Sequence, residues 1–311
     1  MNPLLRNLFL CLSVILVSAP AEYSYAGKRY AQACPNGYVR VPGDNSFRTR
    51  KFCIMKWEAK CGLADGQSCT AQKGSRVPIS EAYSTPWVSI SQQDSITECA
   101  SLGMGYKLIK NYEWMTVVSN IAKNAANWCK ADGTGCGAQG SVVNASDVTT
   151  NNLVLSRGHS DNNPGNACNG RSVSVQTDCS TLQPSATSHT EKRTHTLTNG
   201  NIVWDLSGNA WEWVNYFNKT HKASPLAGWA EYTAVTGVTK MPKSYLVPTA
   251  AKKSWWSDSW SSSQNIGQYY ASTNGAGGAL VRGGLGHWFE NRALYGASAQ
   301  RSDARGHEHW L

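Results

Sequence analysis

The sequence predicts an α+β fold with many short strands, two packed helices and long irregular segments. Three observations support this. Residues 34–60 alternate apolar and polar side chains around a turn, two stretches at 91–103 and 108–121 carry apolar residues at helical spacing, and long polar stretches lie beside closely spaced cysteines.

In the first stretch Tyr38 and Arg40 alternate with Val39 and Val41, Gly43-Asp44-Asn45 supplies a turn, and Phe52 to Trp57 resumes the apolar pattern. That order predicts paired strands. Residues 62–86 form a polar loop. Ser91 is placed to cap a helix, with Asp94 three residues on, Ile96, Cys99, Ala100 and Leu102 at helical spacing, and Gly103 to end it. A second helix opens at Asn111 as its cap and buries Trp114, Val117, Val118 and Ile121. Ile202 to Trp204 and Trp211 to Tyr216 read as strands joined by the turn Leu206-Ser-Gly-Asn209. Two insertions, at about residues 131–200 and 219–278, show little apolar periodicity, and loops of that length inside a compact domain are functional or pinned.

The amino terminus carries a secretory signal pattern: Arg6, the apolar run Leu8 to Val17, and Ser24-Tyr25-Ala26 as a cleavage site. The run is short for a bilayer span, so residues 1–26 are expected to be removed, leaving one domain over 27–311 that does not cross the membrane. A retained anchor is the alternative. The expected location is secreted, periplasmic or cell-surface, where cysteines pair. Loss of Cys11 with the signal leaves Cys34 with Cys53, Cys61 with Cys69, Cys129 with Cys136, and Cys168 with Cys179 as the economical pairs, and Cys99 alone.

A net charge of +9 favours acidic partners, but the basic residues are scattered and no nucleic-acid module is present, which sets nucleic acid aside. Thirteen tryptophans against five phenylalanines, with abundant Gly, Ser, Asn and Thr, suit an exported adhesive or carbohydrate-facing protein, although most of the tryptophans are expected to pack the core.

Two blocks are more specific. Asp205-Leu-Ser-Gly-Asn-Ala-Trp-Glu-Trp213 and Arg282-Gly-Gly284, with Phe52 to Glu58 and Cys99 to Trp114 before them, resemble the signature of the formylglycine-generating-enzyme (sulfatase-modifying-factor) family. The resemblance implies an elaborated C-type-lectin fold, a scaffold that hosts oxidases and ligand-binding proteins alike. It also implies that the helix bearing Cys99 is tied to a cysteine on a terminal strand. The chain has no cysteine after Cys179, so either that strand is missing or replaced, or Cys99 is a buried free thiol.

The family's enzymes hold copper with two cysteines shortly after Arg-Gly-Gly. The matching positions are Trp288 and Ala293, neither of which supplies a thiolate, so no copper and no catalytic residue are expected. His287, His307 and His309 could form a different metal site or be exposed polar residues. By the same resemblance Asn209 and Glu212, with Asp205 nearby, are candidate calcium ligands; alternatively Asn209 holds a turn and Glu212 pairs with an arginine.

The segment after Arg282 is where relatives display a ligand-facing surface. Here His287, Trp288, Phe289, Glu290, Asn291, Arg292 and Tyr295 combine rigid rings with adaptable hydrogen-bonding groups, a mixture suited to recognition and equally compatible with an ordinary loop. The expected function is non-catalytic binding of a surface glycan, anionic polymer or protein. A metal-dependent oxidase or other enzyme of the superfamily is the alternative.

Overall fold

The computed structural model describes residues 33–62, 77–82, 86–88, 90–131, 134–156, 193–207, 210–218, 228–234, 244, 246–271, 278–283 and 297–300. Over these residues the protein is a mixed α/β structure with few helices and small, mostly antiparallel sheets.

The amino-terminal hairpin forms as its alternation predicts. Strand β1 (Tyr38–Val41) pairs antiparallel with β2 (Phe52–Met55). Between them the Asp44 carboxylate caps a short 3-10 turn by accepting the Ser46 N–H at 2.9 Å. The Cys34–Cys53 disulfide ties the hairpin to the chain before it. Strands β3 (Ala59–Cys61) and β4 (Pro78–Ser80) make a second small sheet.

Helix α1 (Gln92–Ser101) starts where its cap predicts, with Ser91 Oγ accepting the Asp94 N–H at 3.1 Å, and its connection to the next helix turns at Gly103, whose φ is +114°. Helix α2 (Asn111–Lys123) buries Trp114, Val117, Val118 and Ile121 completely. Its cap differs from expectation. Asn111 is the first helical residue, Lys110 occupies the cap position, and the Glu113 carboxylate turns back to accept the Lys110 N–H at 2.9 Å. The Asn111 side chain is instead committed to Arg282.

Almost the whole circumference of α2 is enclosed, polar positions included. Each polar side chain there has a defined partner, as burial requires: Thr116 bonds Thr49 at 2.7 Å, Ser119 donates to Asp44 at 3.1 Å, and Asn120 donates to the Pro42 carbonyl at 3.1 Å.

The first insertion is structured at both ends. Strand β5 (Trp128–Lys130) pairs with β6 (Leu153–Leu155), the short helix α3 (Ala145–Thr150) lies between them under an Asn144 cap, and the Cys129–Cys136 disulfide closes the adjoining loop. At the far end of the insertion, β7 (Thr194–Thr196) pairs with β8 (Ile202–Trp204). The second insertion contributes to the core. Trp255, Trp256 and Trp260 are buried, and the ring of Trp260 lies 4.7 Å from that of Trp128 and 4.8 Å from that of Trp256.

The largest sheet has five strands: β9 (Glu212–Asn218), β10 (Gly228–Glu231), β11 (Gln268–Ala271), β12 (Gly278–Arg282) and β13 (Ala297–Gln300), in the order β10-β11-β13-β12-β9. All pairings are antiparallel except β11 with β13. The sequence patterning missed β13, because Ala-Ser-Ala-Gln is only four residues long and has no β-branched or aromatic residue to mark a strand. A strand therefore does follow the Arg-Gly-Gly turn, seated between β11 and β12 and without a cysteine.

Cys99 is a part-buried free thiol. Burial, then the neighbouring Glu98 carboxylate, push its pKa up to about 11. Cys61 is disulfide-bonded, while its expected partner Cys69 and the expected pair Cys168 and Cys179 lie outside the described residues. No described helix is long and apolar enough to cross a membrane.

Candidate functional site around the Arg-Gly-Gly turn

The two signature blocks meet in space. Strands β9 and β12 pair so that Glu212 lies opposite Arg282 and Trp213 opposite Val281. Gly283 then leaves the sheet with φ +95°, and a Cβ there would stand 3.1 Å from the Leu206 carbonyl oxygen and 3.5 Å from that of Ala210. Positive φ and close backbone approach both call for glycine, so this position of the motif is explained by geometry.

Arg282 is fully buried. Its Nη2 and Nε donate to Asn111 Oδ1 at 2.7 and 3.2 Å, Nη1 donates to the Leu246 carbonyl at 3.2 Å, and the Met115 sulfur lies 3.7 Å from Nη2. The guanidinium thus joins the large sheet to α2 and to the second insertion. Burial raises the Tyr232 and Tyr269 hydroxyls, Tyr269 to about 12, and the Arg282 charge opposes both shifts.

On the other side of the turn lies a group of charges. Arg193 donates through Nε and Nη2 to the two Asp205 carboxylate oxygens at 2.7 and 2.6 Å, with both side chains buried. This bidentate pair, together with the Arg193 guanidinium 5.5 Å from the centre of the Trp204 ring, fixes the start of the turn. Glu58 accepts the Ala210 N–H at 3.2 Å and so holds its end. Glu212 is part-buried, and its carboxyl is raised well above the usual carboxylate range by burial, then by Glu58 and Asp205, with Lys60 opposing. The structure thus assigns an arginine partner to Asp205, whereas the sequence had offered one to Glu212.

Of the candidate calcium ligands, Glu212 is described and Asn209 lies outside the described residues. Both oxygens of nearby Asp205 are taken by Arg193. Among the described residues there is no group of three or more His, Cys, Asp or Glu side chains that could hold a metal ion. The candidate ligand-facing residues His287, Trp288, Phe289, Glu290, Asn291, Arg292 and Tyr295, and the histidines His307 and His309, also lie outside the described residues.

Their point of attachment is nonetheless fixed. Arg282 pairs with Ala297 across β12 and β13, so residues 283–296 connect two neighbouring strands at one end of the sheet. Trp211 precedes β9 at that same end. Most of the tryptophans are expected to pack the core, and Trp114, Trp204 and Trp213 do so. Those three are buried, but Trp211 is only part-buried, and its ring stacks at 6.3 Å with an interplanar angle of 11° on Trp229, which is exposed on edge strand β10. The register places Trp229 in one row with Val281 and Trp213. Sequence patterning missed this pair, since Trp229 lies in an insertion without periodicity, and it missed the roles of Lys60 and Arg193, which no local motif marks, and of Glu58, which ends the Phe52 to Glu58 block but whose partner Ala210 is 152 positions away.

No protein-family model and no curated protein matches this chain.

Proposed function

We propose that this protein is an exported, non-catalytic binding protein built on a formylglycine-generating-enzyme-like C-type-lectin scaffold. It recognises a surface ligand, whether a glycan, an anionic polymer or a protein, through the face formed after the Arg-Gly-Gly turn. The observation that carries the reading is the register of β12 and β13, which anchors residues 283–296 at the end of the sheet where Trp211 and Trp229 stack. A recognition segment springing from a braced sheet is the common way for a rigid scaffold to present variable side chains. The braces are the buried Arg282 beneath the turn and the Arg193–Asp205 pair beside it. The disulfides and the signal-like sequence pattern of residues 1–26 support export.

Calcium at Asn209 and Glu212 belongs to the same proposal, as an ion that stiffens the turn; it would raise Tm as its concentration exceeds Kd. Elemental analysis of the purified protein tests the chemical class. The reading expects calcium or no metal, and copper or iron near one atom per chain would overturn it in favour of a metal-dependent oxidase.

A further inference from the structure

The connection between α1 and α2 carries Met104 between two glycines with positive φ, Gly103 at +114° and Gly105 at +95°. A Cβ placed on either glycine would meet no atom within 4 Å, so the tip stands clear of the body. Met104 is 101 % exposed, the most exposed of the described large apolar side chains. Met115, by contrast, is fully buried in α2 with its sulfur against Arg282, and Met55 is part-buried in β2.

We propose that Met104 is a surface oxidation site, taking one oxygen atom from a two-electron oxidant such as a peroxide. The thioether sulfur attacks one peroxide oxygen and the O–O bond breaks. Sulfur is oxidised to the sulfoxide and the peroxide is reduced to water, so no further reagent is required. The product is polar where the thioether was apolar, and it is open to a thiol-dependent methionine sulfoxide reductase, which makes the change reversible. Because Met104 is fully exposed, the oxidation leaves the fold intact, whereas the same reaction at Met115 would place a polar oxygen in the core. The proposal is independent of the ligand-binding reading.

The full chain treated with graded hydrogen peroxide and mapped by peptide mass provides the test. Met104 should gain oxygen roughly tenfold faster than Met115 and ahead of Met55, with Tm unchanged while Met104 alone is oxidised. Met104→Leu should abolish this first oxygen uptake and leave the slower ones as they were. Oxidation of Met55 or Met115 at a rate equal to that of Met104, or a fall in Tm that tracks Met104 oxidation, would overturn the proposal.

Discussion

Single residues decide the geometry of the candidate site. Gly283 holds the Arg-Gly-Gly turn in a backbone region that side chains disfavour, close to the Leu206 and Ala210 carbonyls. Gly283→Ala should therefore destabilise the protein by about 1–2 kcal/mol, measured as a shift of the urea midpoint at unchanged m-value. At the far side of α2, burial works to raise the Asp44 carboxyl, but the Lys253 ammonium beside it, with hydrogen bonds from Ser46 and Ser119, carries it below the ordinary carboxylate value. A depressed carboxyl contributes stability that is present above its unfolded pKa and lost as pH falls through its folded one. Asp44→Asn should accordingly weaken the protein at neutral pH and flatten the acid limb of its stability profile; an unchanged acid limb would count against the pairing.

At the scale of elements, legibility followed locality. Helices α1 and α2 and the β1–β2 hairpin were readable because a cap or a period of apolar residues marks each within a few positions. The cap of α2 was misassigned, since Asn111 is an ordinary cap residue whose real partner, Arg282, is 171 positions away in sequence. Strand β13 could not be read at all: small residues form it, and its place depends on β11 and β12. The tryptophans divide in the same way. Trp114, on the periodic face of α2, is fully buried, while Trp229 on an edge strand is 37 % exposed. Trp114→Ala should cost about 3–5 kcal/mol in chemical denaturation, and Trp229→Ala should leave stability within about 0.5 kcal/mol of the parent. Equal losses would contradict the division of these residues between core and surface.

At the scale of the whole molecule, cysteine pairing and the β12–β13 register that sets where residues 283–296 attach are the long-range constraints. Cys34–Cys53 and Cys129–Cys136 follow the short-range scheme, and Cys99 is the free thiol among the described cysteines. Thiol titration of the unfolded, unreduced protein should find one reactive group. In the folded protein that group should react slowly at neutral pH, because burial raises its pKa to about 11 and leaves little thiolate. Three thiols in the processed chain, which keeps nine cysteines, would break the pairing scheme. The candidate site was legible in sequence as two motif blocks, but their meeting across β9 and β12, the Arg193–Asp205 brace and the Trp211–Trp229 stack arise only when segments far apart in the chain pack together.

Under the proposed function, the segment after Arg282 carries recognition on a scaffold that does not need it for stability. The most direct measurement compares the parent with a His287→Ala, Trp288→Ala, Phe289→Ala variant for binding to an immobilised panel of neutral glycans, anionic polysaccharides and cell-surface protein extracts, with Tm recorded for both. The parent should bind at least one member, and the variant should lose at least tenfold in affinity, about 1.4 kcal/mol, with Tm unchanged. Undiminished binding by the variant, or no binding of any panel member by the parent, would contradict it.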